Sequence, residues 1–271
     1  MTRLSAYDSF EFTHEGTRDV PPITHTVYLR RNTGPAVVVM HEIPGMTPEL
    51  IGFADRVWEA GFTVYAPTLF GTPEKPMTAA YTAGQILRAC VSRELSVLAR
   101  NASSPVTDWL RALCRRAHEE CGGPGVGAIG MCMTGNFALA LMVEPCVMAP
   151  VLSQPSLPFG VSASHRAALH LSPEALTAVK RRVGEGCPVL AMRFTHDPLV
   201  PRERFETLRR ELGEGLEAIE IDSGPGNPHG IRRLAHSVVT LDLVDRDGHP
   251  TKEALDRVLG FFRERLAEPA A

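Results

Sequence analysis

The sequence predicts an α/β fold with a mostly parallel central sheet and helices on both of its faces. Strand-like and helix-like stretches alternate from residue 36 to the end of the chain, which is the order of βαβ units. Residues 36–40 read Ala-Val-Val-Val-Met and are apolar without interruption, as a strand covered on both faces requires. The 271 residues, 44% of them hydrophobic, are enough for one large core of this kind.

The first elements are identified from their alternation and from the residues that end them. Residues 24–30 alternate weakly between polar and apolar, which indicates an edge strand. After the buried strand, the apolar positions of 49–60 have helical spacing, and Gly61 ends that helix. Residues 62–66, Phe-Thr-Val-Tyr-Ala, form the next strand, which Pro67 ends.

The rest of the chain continues the alternation. Two helical stretches come next, near 78–99 and 105–119. Four further strands are expected at 125–129, 147–152, 188–194 and 216–221. Helices are expected between and after these strands, at 134–143, 173–183, 202–212 and 251–266.

The chain is expected to form a single domain over residues 1–271. No repeat, low-complexity run or linker divides it, and about the first 20 residues are expected to be peripheral. Two loops, 153–170 and 223–230, follow predicted strands, so both should lie at the carboxyl edge of the sheet. Active sites of open α/β sheets lie at that edge, and 153–170 is therefore the candidate lid.

The composition argues against several kinds of function. The net charge is −3 and no basic cluster is present, so nothing predicts binding to nucleic acid. No apolar segment is long enough for a signal peptide or a membrane span. The six cysteines form no C-x-x-C pair and the histidines no H-E-x-x-H motif, so no metal site is expected. These features predict a cytoplasmic enzyme with reduced thiols.

The segment around Cys132 is the most informative part of the sequence. The apolar run 125–129 is followed by Gly130, Met131 and Cys132, then by small residues and an apolar pattern with helical spacing. A strand, a sharp turn and a helix in this order form the nucleophile elbow of hydrolases, which usually carries serine. A cysteine at this turn predicts covalent catalysis by a thiolate. The other five cysteines are interpreted as small buried hydrophobic residues.

A thiol nucleophile needs a base, and the base needs an acid that orients it. In elbow hydrolases both lie on loops after later strands, the acid before the histidine. Asp197 follows the strand 188–194, and His236 lies on the long loop after the strand 216–221. We therefore predict that His236 is the base and Asp197 the orienting acid. His229 on the same loop is the alternative base, and Asp197 has the alternative interpretation of a helix N-cap.

Two backbone N–H groups are expected to stabilise the oxyanion. One belongs to Met133, which directly follows the nucleophile. The other belongs to Ile43, in the loop His-Glu-Ile-Pro-Gly (41–45) after the buried strand. His41 is expected to shape this loop rather than to transfer protons.

Four short motifs resemble those of the dienelactone hydrolase family. They are His-Glu-Ile-Pro-Gly (41–45), Gly-Met-Cys-Met-Thr-Gly (130–135), His-Asp-Pro-Leu-Val-Pro (196–201) and Ala-His-Ser (235–237). They occur in the family's order, and the resemblance spans about residues 25–265. It implies an α/β-hydrolase fold, a Cys-His-Asp triad and a glutamate beside the nucleophile, which Glu42 matches.

Two positions depart from the family's pattern. Thr134 stands two residues after the nucleophile, where the family usually has glycine, so an elbow of altered bend is expected. Thr240 stands four residues after His236, where lactone hydrolases of the family carry an arginine for the substrate's carboxylate. Arg93 is the candidate substitute for that arginine. The resemblance therefore does not extend to dienelactone as the substrate.

The motifs and the resemblance together predict a hydrolase that cleaves a small ester or lactone through a thioester on Cys132. No cofactor and no metal are expected. The expected partner is a small-molecule substrate, with neither nucleic acid nor membrane involved, and the chain is expected to be a monomer or a small homo-oligomer. Two alternatives stay open: a hydrolase of thioesters or other small esters, and a non-catalytic homologue that acts as a binding protein.

Overall fold

A computed structural model describes residues 3–16, 21–78, 80–85, 105–157 and 159–267. In this part of the chain, one sheet of eight strands has the order β1-β2-β4-β3-β5-β6-β7-β8. The strands are β1 Asp8–His14, β2 Ile23–Arg30, β3 Gly34–Met40, β4 Phe62–Pro67, β5 Val126–Met131, β6 Val147–Ser153, β7 Val189–Phe194 and β8 Leu216–Ile221.

Helices connect most of the parallel strands. They are α1 Pro48–Glu59, α2 Pro105–Cys121, α3 Gly135–Leu141, α4 Ala163–Ala167, α5 Pro173–Gly184, α6 Arg202–Leu212 and α7 Pro250–Leu266. Residues 80–85 are also helical, and most of the helix predicted over 78–99, including Arg93, lies outside the described residues. Among the helices that the structure describes, none has the length and apolar character needed to cross a membrane.

The pairing of the strands confirms the predicted sheet. β1 pairs with β2, and β2 with β4, in antiparallel fashion, while β4, β3, β5, β6, β7 and β8 pair in parallel. The result is a mostly parallel sheet with helices on both faces, the α/β-hydrolase fold that the resemblance implies.

The edge strand β1 is not predicted by the sequence pattern, and the prediction of an edge strand over 24–30 is wrong, because that strand is β2 and pairs with both β1 and β4. The seven residues of β1 include two large apolar side chains, Phe10 and Phe12, which are half-buried and pack against the core. The other positions are polar, and most are exposed. A strand that covers only one face at the margin of a sheet needs so few apolar residues that its alternation is hard to distinguish from that of a loop.

Both faces of the central strands are buried. Val37 and Val39 on β3 contact one apolar cluster, to which α1 and α7 contribute. Val38 and Met40 belong to the opposite cluster, to which α2, α3, α5 and α6 contribute. Because successive side chains of a strand point to opposite faces, this division explains why residues 36–40 are apolar without interruption.

The loops after the parallel strands gather at the carboxyl edge of the sheet. The loop after β3 begins at His41, and the turn after β5 begins at Cys132. The loops after β6, β7 and β8 begin at Gln154, Thr195 and Asp222. Side chains from all five segments meet at this edge, where open α/β sheets carry their sites.

Candidate active site

Cys132 lies at the tip of a strained turn between β5 and α3. Its φ is +56°, in the left-handed region that is costly for a residue with a Cβ. The residue is 8% exposed. A backbone held in this conformation lifts the side chain out of the sheet, which is the geometry of a nucleophile elbow.

Close packing around the turn explains its glycines. A Cβ on Gly130 would lie 1.9 Å from the carbonyl oxygen of Thr134, and a Cβ on Gly135 would lie 2.6 Å from the Cα of Pro155. Thr134 itself has an ordinary helical backbone, with a φ of −84°, so glycine is not needed there. The departure from the family's pattern therefore leaves the elbow intact.

The hydroxyl of Thr134 joins the elbow to the neighbouring loop. It accepts the backbone N–H of Met131 at 2.8 Å. It also lies within donating distance of the carbonyl oxygens of Met40, at 3.2 Å, and His41, at 3.1 Å. A glycine at this position would lack this link between the end of β3 and the turn that carries Cys132.

His236 and Asp197 form a hydrogen-bonded pair. Nδ1 of His236 lies 2.6 Å from Oδ2 of Asp197, whose side chain is fully buried. Burial by itself lowers the pKa of the imidazole, but the nearby sulfur of Cys132 and the hydrogen bond with Asp197 raise that pKa well above its ordinary value. Nε2 is buried and has no hydrogen-bond partner among the described residues. That nitrogen is therefore available to a proton from the thiol.

The sequence left two alternatives open at this site, namely Asp197 as a helix N-cap and His229 as the base. The N-cap of α6 is Pro201, so Asp197 does not cap that helix, and its Oδ1 instead accepts the N–H of Leu199 at 2.9 Å. The ring of His229 packs against His249 with centroids 5.4 Å apart, beside a different cavity. The exposed His196 lies 3.0 Å from the hydroxyl of its neighbour Thr195.

A second aspartate anchors the loop that carries His236. One carboxylate oxygen of Asp242 accepts the backbone N–H groups of His236, at 2.9 Å, and Ser237, at 3.1 Å. The other oxygen pairs with the guanidinium of Arg232. This contact depends on a turn within the loop, which the sequence pattern does not reveal.

The loop after β3 is fixed by His41, as predicted. His41 is fully buried, and burial lowers the pKa of its imidazole to about 4, so the ring is neutral at pH 7. Nε2 accepts the N–H of Leu69 at 2.9 Å, and Nδ1 donates to the carbonyl oxygen of Glu42 at 3.1 Å. Ile43 from this loop and Met133 from the elbow both line the cavity that contains Cys132.

Glu42 is buried and bonded to three uncharged groups. Oε2 of Glu42 accepts the hydroxyl of Ser237 at 2.6 Å and the side-chain amide of Gln154 at 3.4 Å. Oε1 of Glu42 accepts the hydroxyl of Thr240. Thr240, which stands where lactone hydrolases of the family carry arginine, is thus a partner of the glutamate. Gln154 has a φ of +37°, in the left-handed region that is costly for a residue with a Cβ.

Ser156 makes a polar contact with the sulfur of Cys132. Its Oγ lies 3.3 Å from Sγ of Cys132, and its backbone N–H donates to the carbonyl oxygen of Cys132 at 3.0 Å. Ser156 has no exposed surface. It belongs to the loop 153–170, which is identifiable from the sequence, but the contact of this one serine with the thiol depends on how that loop folds back.

Cys132, His236 and Glu42 open into one cavity of about 280 Å³. Among the described residues, no group of three or more His, Cys, Asp or Glu side chains has the arrangement of a metal site. Most of the cavity's walls are apolar. The lining residues are Glu42, Ile43, Met77, Thr82, Cys132, Met133, Phe159, Leu199, Arg232, Leu234, His236, Ser237, Leu241 and Asp242.

Comparison with known families gives one match over most of the chain. The model of the "Dienelactone hydrolase family" matches residues 24–266. A search of curated protein sequences finds no match. The matched range includes each of the site residues described above.

Solved structures with a similar fold cover nearly the whole chain. A proposed dienelactone hydrolase of Klebsiella pneumoniae is 17% identical, with a TM-score of 0.60 over 96% of this chain and 99% of that one. A dienelactone hydrolase-like promiscuous phosphotriesterase from metagenomic libraries is 18% identical, with a TM-score of 0.55 over 97% and 100%. An esterase of Pyrococcus furiosus is 14% identical, with a TM-score of 0.55 over 97% and 95%. At these identities the likeness establishes the fold.

Proposed function

We propose that this chain, which belongs to the dienelactone hydrolase family, hydrolyses a small carboxylic ester or lactone through a thioester on Cys132. The observation that carries the proposal is the arrangement of three groups. A strained cysteine faces a half-buried imidazole, and that imidazole is held from behind by a buried carboxylate at 2.6 Å. This is the arrangement of a nucleophile, a general base and an orienting acid.

The first half of the reaction forms the thioester. His236 takes the thiol proton on Nε2, and the sulfur of Cys132 bonds to the carbonyl carbon as the C=O electron pair moves to oxygen. The N–H groups of Ile43 and Met133 stabilise that oxyanion. When the carbonyl re-forms, the C–O bond to the alcohol breaks, and the leaving oxygen takes the proton from the imidazolium.

The second half returns the enzyme to its starting state. His236 removes a proton from water, and the oxygen of that water bonds to the thioester carbon. The carbonyl then re-forms and the C–S bond breaks, the acid leaves, and the sulfur keeps the electron pair and takes the proton back from the imidazolium. Asp197 keeps Nδ1 protonated and stabilises the charged imidazole in both halves. Neither half needs a metal or a cofactor.

A panel of aryl esters, lactones and thioesters tests the activity. The purified chain is expected to release acid from at least one ester or lactone faster than buffer does, with saturation kinetics. Rates highest on thioesters would favour the thioesterase alternative. Binding of panel compounds without turnover of any of them would favour a binding protein and would overturn the proposed hydrolase.

We assign Glu42 the role of a positioning residue that ties the oxyanion loop to the loop of His236. Its carboxylate is occupied by the hydroxyls of Ser237 and Thr240 and by the amide of Gln154. The sulfur of Cys132 instead contacts Ser156. This geometry favours a role for Glu42 as a link between the two loops over a role as acceptor of the thiol proton.

Glu42→Gln is therefore expected to be milder than Glu42→Ala. The amide of glutamine has the shape of the carboxylate, and hydroxyls can donate to its oxygen or accept from its NH₂, so kcat/KM should fall about 10-fold or less. Alanine removes the bonds between the two loops. The resulting displacement of the oxyanion donor and of His236 should lower kcat/KM by about 100-fold. Steady-state kinetics measure both values, and Thr240→Val, which removes one tie, should fall between them.

The rate at which iodoacetamide alkylates Cys132 distinguishes the tie from a proton acceptor. The pH dependence of that rate should be the same in wild type and Glu42→Gln. If Glu42→Gln shifts the alkylation profile and loses as much activity as Glu42→Ala, the carboxylate takes the proton and the assignment as a tie is wrong.

We further propose that the protein works in the cytoplasm, because its nucleophile must stay a free thiol. The cysteines that the structure describes are unpaired, and Cys132 is among them. Fractionation of the source cells, followed by detection of the chain, tests this location.

A further inference from the structure

The mouth of the candidate site is apolar. Among the described residues, six large hydrophobic side chains are exposed, and four of them line the cavity of Cys132. Leu234 is 71% exposed and Leu199 43% exposed. We call the four residues the apolar rim: Phe159, Leu199, Leu234 and Leu241. Exposed apolar groups gathered around one cavity indicate a surface that is covered when a ligand binds.

The described residues that line the cavity leave no lysine or arginine free to pair with a substrate's carboxylate. Arg232 is the one arginine or lysine among the described lining residues, and it pairs with Asp242. Glu42 is bonded to hydroxyls and an amide rather than to a cation. Among the described residues, a carboxylate on the substrate would therefore meet apolar walls and the carboxylate of Glu42, while the charge of Asp242 is paired with Arg232.

We infer that the enzyme's substrates are uncharged esters with an apolar group that lies against the apolar rim. This inference rests on the proposed hydrolase function and specifies its substrate class. The rim is continuous with the cavity that contains the nucleophile, so the apolar group and the reacting carbonyl can belong to one molecule. A volume of about 280 Å³ is close to the lower end of the range for ligand cavities, which suits a small ester.

A matched pair of esters tests the inference. The acyl group of 4-nitrophenyl butyrate ends in a methyl group, and that of mono-4-nitrophenyl succinate ends in a carboxylate at the same place. Both release the same phenol and are compared at pH 7 and 0.15 M salt. The ratio of kcat/KM should favour the butyrate by at least about 30-fold, because the carboxylate loses its hydration near like charges.

One substitution at the rim should change that ratio. Leu234→Lys puts a cation at the mouth, and the high exposure of this side chain makes the change harmless to the fold. The Leu234→Lys variant should raise kcat/KM for the succinate ester, relative to kcat/KM for the butyrate ester, about five-fold. Val244→Lys is the matched control, because Val244 is 43% exposed and lies outside the lining of this cavity. The control should leave the ratio unchanged.

Each outcome decides one claim. Equal rates, or a preference for the succinate ester, would overturn the uncharged substrate class while the hydrolase function stands. If both lysine variants change the ratio equally, the rim does not contact the substrate and that assignment fails. If neither ester nor any other member of the panel is hydrolysed, the proposed function itself fails, and with it the inference.

Discussion

Cys132→Ala is expected to lower kcat/KM for ester hydrolysis by about 10⁴-fold, because the acyl intermediate forms on the sulfur that this change removes. The residual rate should come from substrate binding and the oxyanion donors alone. Initial rates with 4-nitrophenyl butyrate measure the loss. The substitution removes a small side chain at a turn whose backbone is set by its neighbours, so the fold should persist.

Cys187→Ala is the matched control for this change. Cys187 is also a buried thiol, but its sulfur lies near the carbonyl oxygens of Val147 and Met148, outside the site. The Cys187→Ala variant should keep the activity of the wild type. Cys132→Ser should keep a small fraction of that activity, since a hydroxyl is a poorer nucleophile without a lowered pKa. Full turnover in Cys132→Ala would rule out the proposed nucleophile.

Asp197→Asn is expected to lower kcat by about 10³-fold to 10⁴-fold. The side chain keeps its shape, but the NH₂ of asparagine cannot accept the proton on Nδ1, so His236 adopts the wrong tautomer. The hydrogen bond with Asp197 is one of the interactions that raise the pKa of His236, and its loss lowers that pKa. Because His236 must be unprotonated to accept the thiol proton, the acidic limb of the pH–rate profile should move to lower pH, which kinetics from pH 5 to pH 10 would detect.

Asp222→Asn separates this effect from a general loss of negative charge. Asp222 lies at the start of the loop after β8, and its carboxylate accepts the N–H of Gly224 at 2.8 Å. The Asp222→Asn variant should leave both the rate and the acidic limb almost unchanged. An Asp197→Asn enzyme with the pH profile of the wild type would contradict the assignment of Asp197 as the orienting acid.

Most of the fold follows from the sequence because its strands are buried on both faces. Residues 36–40 and 62–66 are apolar or β-branched throughout, and the structure places them in the centre of the sheet as β3 and β4. β1 lacks this signal because it covers only one face at the margin. The short helix α4 is also absent from the prediction, since five residues are too few to show helical periodicity.

The order of the site residues along the chain is predictable because each one follows a strand. Cys132, Asp197 and His236 come directly from the loops after β5, β7 and β8. The contacts of Ser156 and Asp242 are not predictable, because they depend on how long loops fold back on themselves. The role predicted for Arg93 stays a prediction, since that residue lies outside the part of the chain that the structure describes.

The covalent intermediate is the most direct test of the mechanism. The chain is mixed with excess 4-nitrophenyl butyrate, quenched in acid within the first turnover, and digested for mass spectrometry. The proposed mechanism predicts a butyryl group on the peptide that contains Cys132, bound as a thioester that neutral hydroxylamine removes. A butyryl group on Ser156 or Ser237 instead, or rapid turnover with the sulfur of Cys132 already blocked by alkylation, would contradict it.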